Sequence, residues 1–333
     1  MIFKTVFSYF WKVALGMALF AYVSSLVNWS DVYTKFKNVS PLYVGLGIMI
    51  VLLQALALGW RWQRIGKLDR IEISVRDHTA AILISFFFSQ GLPASLGGDA
   101  LRAWWYARRG VSAAQGIKII AFDRIIGLVS LAAVCGASIA VFVSRAGNAA
   151  AVNSLGVIVV LALAGFIGLV LPFRLGLTAF ASRQSHRLPP TMARMLGWLL
   201  DMREFFRVGS KADMAIILFL GVAVHLMTVL LGYVLARGLG SDVGFLGCLA
   251  AIAPALLVSY VPISIAGWGV REASLVFAFG LVGVDRETAL LISLGIGSIV
   301  LVVSLLGGIL WAVSGMRLLY LKEVKKEEVQ VNS

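Results

Sequence analysis

Six uninterrupted apolar runs, at about 13–28, 41–59, 117–143, 154–176, 213–236 and 288–314, set the limits on how this chain can fold. Each approaches the ~20 residues that a helix needs to cross the hydrocarbon core of a bilayer. Inside lipid a backbone must satisfy its own hydrogen bonds, which leaves only helices and closed barrels, and unbroken runs of this length read as helices. The residues are 60% hydrophobic and only 14% charged, too few polar side chains to cover a water-soluble globule. The expected fold class is an all-α polytopic membrane protein. Lys4 and Lys12 precede the first run, but the run is long and no small-x-small cleavage site follows, so it reads as an uncleaved first span.

Two further apolar regions, 79–110 and 245–284, are interrupted by Pro and Gly near their middles. The basic residues decide how often these regions cross. If each dips in and returns, with the N-terminus cytoplasmic, the cytoplasmic segments collect 22 of the 29 Lys and Arg residues. If each crossed once, the arginine-rich stretch from 174 to 211 would face outward, against the bias that orients membrane helices. The expected architecture is therefore six full spans plus two re-entrant broken-helix hairpins, with both termini cytoplasmic. The net charge of +13 comes from residues clustered between apolar runs, so membrane orientation accounts for it and no nucleic-acid partner is expected. Cys135 and Cys248 lie at unrelated apolar positions and imply neither a disulfide framework nor a metal site.

The interruptions repeat one another. Pro93, Ser95, Gly98 and Arg102 follow the pattern P-x-S-x-x-G-x-x-x-R, and Pro262, Ser264, Gly267 and Arg271 repeat it 169 residues later (271 − 102). Each copy leads through a Gly-Val pair (Gly110-Val111, Gly283-Val284) into a full apolar run. Three spans separate the copies, so re-entrant copies would enter from opposite faces, as an inverted repeat with halves at about 41–143 and 213–314. Transporters are commonly built this way, with substrate held near the midplane where helices break. Irregular backbone at membrane depth survives only against protein or a wet cavity. Asp99, Arg102, Tyr106 and Arg109 recur at spacings of three or four, which brings them to one helix face, while Trp104 and Trp105 fall off that stripe as candidates for lipid or the interface. The candidate substrate-binding residues are Arg102, Arg271, Asp99, Glu272, Ser95, Ser264, Gly98, Gly267 and Tyr106. An intramembrane arginine demands a partner or a ligand, the positive end of a half-helix attracts an anion, and the planar guanidinium fork suits a phosphate.

At GLPASLGGDALRAW (91–104), DRIIGL (123–128) and PISIAGWGVRE (262–272) the chain resembles the flippase-like transmembrane domain of lysylphosphatidylglycerol synthases. The resemblance extends over essentially the whole chain and implies a single domain, 1–333, that moves an anionic or zwitterionic phospholipid between leaflets of the cell (inner) membrane. Full-length members add a soluble aminoacyltransferase domain, whereas here only a polar tail, 317–333, follows the last run; lysyl transfer, enzymatic activity and a cofactor are therefore not expected. The implied partners are a membrane lipid as substrate and anionic inner-leaflet lipid at the basic loops, with homo-oligomerisation left open. An intramembrane lipid-modifying enzyme, or an accessory partner of one, stays open as the alternative.

Several residues carry a plainer reading beside the functional one. Arg102 and Arg271 fit a structural ion pair as well as a substrate contact. Asp123 and Arg124 read first as a helix–helix ion pair, structural or coupling, and His225 as a hydrogen-bonded packing residue. Trp105 and Tyr106 read as interfacial anchors. Glu272 stands next to Arg271, about 100° around a helix, an arrangement that does not require the two to pair. Met195, Trp198, Leu199, Met202, Phe205 and Phe206 form one stripe of an amphipathic linker within 177–212, expected to lie on the inner leaflet. The tail KEVKKEEVQVNS is polar and expected to be disordered.

Overall fold

Two serines set the frame of the bundle. Ser40 and Ser210 both hold extended backbone and cap the helices that follow them, Ser40 accepting from the Leu42 N–H and Ser210 from the Asp213 N–H. A side-chain oxygen at this position satisfies an N–H that the first turn leaves without a partner. Each helix then runs for 28 residues, Pro41–Leu68 and Lys211–Gly238, roughly 42 Å at 1.5 Å per residue. Each stops in the same way. Ile71 N–H reaches back to the Gly66 carbonyl and Ser241 N–H to the Ala236 carbonyl, around left-handed residues at Arg70 (φ 61°) and Gly240 (φ 73°). These are Schellman stops, and the starts, lengths and stops all lie 170 residues apart (210 − 40).

The computed structural model describes residues 2–91, 96–145, 209–259 and 267–331. Among them are ten helices in chain order: α1 (Ile2–Ser25), α2 (Trp29–Lys37), α3 (Pro41–Leu68), α4 (Val75–Gly91), α5 (Leu96–Ala107), α6 (Ala113–Arg145), α7 (Lys211–Gly238), α8 (Phe245–Ser259), α9 (Val270–Leu281) and α10 (Arg286–Val331). Four are long and apolar enough to cross a membrane, α3, α7, α6 through Ile139 and α10 through Ser314; a fifth arises if α1 and α2, bent by 89°, count as one span. The expected span at 154–176 and the amphipathic stripe of the linker lie outside the described residues. The tail expected to be disordered is helical through Val331. Lys and Glu are strong helix formers, and extending an existing helix carries no nucleation cost.

The helices flanking each interruption fold back on one another. His78, in the first turn of α4, hydrogen-bonds Tyr106, in the last turn of α5, so α4 and α5 form an antiparallel hairpin. Helices α8 and α9 likewise pack together. Every packing within the first set of elements has its counterpart in the second: α3 on α4 and α7 on α8, α5 on α6 and α9 on α10, α3 on α6 and α7 on α10. Crossings between the sets match too, α4 on α10 with α8 on α6 and α3 on α10 with α7 on α6, while α3 and α7 meet each other.

Small residues allow these close crossings. A side chain at Gly307 would strike the Leu83 carbonyl, and one at Gly59 the backbone of Thr79, so α4 is clasped between α10 and α3 where the helices have no bulk, as membrane bundles prefer. Helix α8 is buried continuously from Gly247 to Ala255, and its whole circumference is apolar because it is surrounded. The main core gathers Leu231, Leu235, Ile252, Phe279, Leu290, Ile296 and Val303 from the second set with Val51, Leu131 and Val134 from the first. A second core, around Trp62, Ile65, Trp105, Tyr106, Phe122 and Ile126, surrounds the first hairpin.

Candidate functional site

The first turn of α5 carries Asp99 and places Arg102 one turn later on the same face. Gly98 makes this position available: a side chain there would run into Ser89 and the Ser85 carbonyl of α4. From Arg102 a chain of charges extends in both directions. Its Nη1 donates to Asp123 Oδ2 at 3.0 Å, and Arg61 Nε, from α3, donates to Asp123 Oδ1 at 2.8 Å. Its Nη2 donates to Asp99, which also accepts from Arg124 Nε at 3.0 Å and Nη2 at 2.9 Å. The order is Arg61, Asp123, Arg102, Asp99, Arg124, three cations alternating with two carboxylates.

Exposure rises along this chain. The side chains of Arg61, Asp123 and Arg102 are 5%, 6% and 7% exposed, whereas Asp99 is 21% and Arg124 34% exposed. One end is therefore sealed in the bundle and the other opens at the start of α5. Asp123 and Arg124, read as residues of a helix–helix ion pair, do bridge to other helices, each to its own partners. Successive residues point about 100° apart on a helix, so Asp123 turns to α3 and Arg124 to the start of α5, and one network joins both.

Around Arg102 lies an aromatic box. Its guanidinium sits 5.4 Å from the Trp62 ring, within cation–π range. Trp62 also contacts His78 edge-on at 4.8 Å, Tyr106 at 4.8 Å and Trp105 at 5.3 Å. His78 Nδ1 lies 2.9 Å from the Ser74 carbonyl, which can only accept, so the proton sits on Nδ1 and Nε2 accepts from the Tyr106 hydroxyl at 3.1 Å. The expectation of Trp105 and Tyr106 as interfacial anchors is corrected: both are buried, at 6% and 0% exposure, while Trp104 is 45% exposed. Because α5 folds back onto α4, the side of α5 that a lone helix would turn to lipid is covered. Arg61, Trp62 and His78 escaped the sequence reading. Arg61 looked like one more cytoplasmic cation at the end of an apolar run, and only the Trp-Arg-Trp sequence at 60–62, aromatic on both sides of a charge, hinted at burial.

The second hairpin carries a different arrangement. Glu272 is fully buried and accepts four hydrogen bonds: Gly269 N–H at 2.6 Å, Arg271 Nε at 3.0 Å and Nη2 at 2.7 Å, and Ser293 Oγ at 3.1 Å. Arg271 and Glu272 do pair, despite their angular separation. Both sit in the first turn of α9, Glu272 folds back to cap Gly269, and the long Arg271 side chain bends round to meet it. Arg271 lies between the Trp268 ring, 4.4 Å away, and Gly297 of α10, where any side chain would overlap the guanidinium. Gly267 (φ 80°) serves a different end from Gly98: it has open space around it, and its left-handed backbone is what excludes other residues.

The structure thus brings Arg102, Asp99, Asp123, Arg124 and Tyr106 into one cluster and Arg271, Glu272 and Gly267 into another, and the two clusters share no residue. Ser95 and Ser264 lie outside the described residues. The positive ends of α5 and α9, expected to attract an anion, already hold carboxylates of the chain itself, Asp99 and Glu272. His225, as expected, is a packing residue, buried and donating to the Gly127 carbonyl of α6 at 3.0 Å. A family profile described as the lysylphosphatidylglycerol synthase TM region matches residues 9–308, most of the chain. No curated protein matches it.

Proposed function

Because the chain belongs to the lysylphosphatidylglycerol synthase transmembrane-region family, a multi-pass membrane family with a lipid-related role, we propose that it moves an anionic or zwitterionic phospholipid between leaflets of the cell membrane. In this reading the two hairpins are re-entrant, enter from opposite faces as an inverted repeat, and leave both termini cytoplasmic. The fold-back of α4 on α5 and the matched packing of the two sets of elements support it. The reading assigns transport alone and no chemical step on the lipid.

One observation carries the proposal: a charge chain with one more cation than anions, sealed at Arg61 and open at Asp99 and Arg124. Asp99 occupies the place where a phosphate would bind, at a helix N-terminus between two arginine forks. A lipid phosphate arriving at the open end takes over the bonds of Arg124 and then Arg102, and Asp99 swings toward solvent or toward a headgroup amine. The sealed Arg61–Asp123 pair holds Arg102 in register throughout. Glu272, with four bonds and no exposure, is a fixed strut, so exchange belongs to the first hairpin. Exposed Lys67, Arg70, Arg76, Arg108 and Arg109 surround the base of that hairpin and would rest against anionic inner-leaflet headgroups.

The test is leaflet-selective quenching of fluorescent phospholipid in vesicles containing the purified protein. Wild-type chain accelerates exchange of at least one anionic or zwitterionic headgroup over protein-free vesicles. Arg124→Ala, at the exposed end, loses at least about tenfold in rate, equal to one 1.4 kcal/mol increment, with unchanged thermal unfolding. Wild-type exchange no faster than in empty vesicles across those headgroups rejects the proposal.

A further inference from the structure

Helix α2 has no part in either charged cluster, yet its surface is divided with unusual clarity. It leaves α1 at 89°, after Asn28 caps its first turn by accepting from the Ser30 N–H. Trp29, Tyr33 and Phe36, spaced at i, i+4 and i+7, are 49%, 66% and 65% exposed and share one stripe. About a quarter-turn away, Val32 is buried and Lys35 reaches the start of α10, donating to Asp285 at 2.5 Å and to Thr288 Oγ1 at 2.8 Å. Asn28 N–H adds a bond to Glu287 at 2.9 Å. The remaining arc carries Ser30, Asp31, Thr34 and Lys37, all exposed.

A helix with one side on protein, one aromatic and one polar needs two different solvents. If α1 and α10 run across the membrane, the 89° bend lays α2 along its surface. The polar arc then faces water and the three rings face the acyl boundary, where Trp and Tyr partition best. We infer that α2 is an in-plane anchor whose Trp29, Tyr33 and Phe36 face embeds in the headgroup–acyl boundary of a phospholipid bilayer, and whose Lys35 ties that depth to the N-terminus of α10. The inference does not depend on what the protein transports. It has a mechanical consequence for α10, whose Ser293 and Gly297 hold the Glu272–Arg271 pair: the height of the second cluster is set from the surface through α10.

Single spin labels on the full chain in phosphatidylcholine–phosphatidylglycerol vesicles test this, through Ser30→Cys, Tyr33→Cys, Thr34→Cys and Phe36→Cys; native Cys135 and Cys248 are buried. Collision with oxygen and with a water-soluble nickel chelate reads depth. Labels at 33 and 36 are expected about 5–10 Å below the phosphates, and labels at 30 and 34 in water. Equal exposure of all four to the nickel chelate overturns the inference. So does shielding of 33 and 36 from both reagents, which would mean that protein, another segment or a second copy, covers the stripe.

Discussion

Asp123 is the residue on which the first cluster depends most. Both its oxygens are committed, one to Arg61 and one to Arg102, and all three side chains are nearly sealed. Burying a charge is costly unless it is paired, and breaking a buried pair leaves an uncompensated ion. Asp123→Asn therefore leaves Arg61 without its carboxylate and Arg102 with Asp99 alone, and costs about 3–5 kcal/mol, read as a lowered unfolding temperature in detergent; Asp123→Asn combined with Arg61→Met recovers part of that loss because the stranded charge is gone. Asp285 gives a test at the surface. Burial alone would raise its carboxyl, but the hydrogen bonds from Lys35 and Thr288 and the Lys35 charge outweigh that, and the pKa falls below its ordinary value. A depressed folded-state pKa means stability present above the unfolded value of about 3.9 and lost as pH falls through the folded one. The α2–α10 contact should thus hold at neutral pH and loosen only below about pH 4, with Asp285→Asn reducing the pH dependence; label mobility on α2 against pH measures it.

At the scale of elements, the hairpin α4–α5 is gripped on one limb and looser on the other. Helix α4 is clasped by glycine crossings with α3 and α10, whereas α5 holds through its charges and the aromatic box. Any motion of the hairpin should then be carried by α5. Gly307→Leu forces a side chain into the Leu83 carbonyl and must part α4 from α10, so it should lower the unfolding temperature strongly, whereas Gly136→Leu, with open space around its position, should leave it nearly unchanged. The capping serines are milder handles. Ser40→Ala and Ser210→Ala should each cost about 1 kcal/mol, and similar losses would fit the matched ends of α3 and α7.

Across the whole molecule, the matched packing makes a topological prediction. If the halves are inverted, the base of the first hairpin and the base of the second lie on opposite faces. Cysteines at Arg76 and Gly110 should react with an impermeant maleimide from one side of sealed vesicles, and cysteines at Ser241 and Gly283 only from the other. Labelling of all four from one side would leave the hairpins parallel and remove the inverted repeat. The matched elements also differ in chemistry. Helix α6 gives the first cluster two charges, Asp123 and Arg124, whereas α10 gives the second the Ser293 hydroxyl, so the first cluster is a relay of ions and the second a single carboxylate held by a cap, an arginine and a hydroxyl. On the proposed function, matched backbones with unequal side chains would assign exchange to the first half and anchorage to the second.

The sequence alone determined the class and the frame. Long apolar runs admit little but membrane helices, and the shared spacing around Arg102 and Arg271 matched two stretches of the chain before any coordinates. Periodicity also placed Asp99, Arg102 and Tyr106 on one face, because that is a property of a single helix. What lay beyond reach was every pairing between helices. That Arg61 shares Asp123 with Arg102, that Tyr106 is buried against His78 and Trp62, and that each half-helix meets its own carboxylate rather than a vacant anion site depend on fold-back and on which glycines let helices touch. A charge in a sequence shows only that it needs a partner; the partner is chosen by packing, which acts between residues tens to hundreds of positions apart.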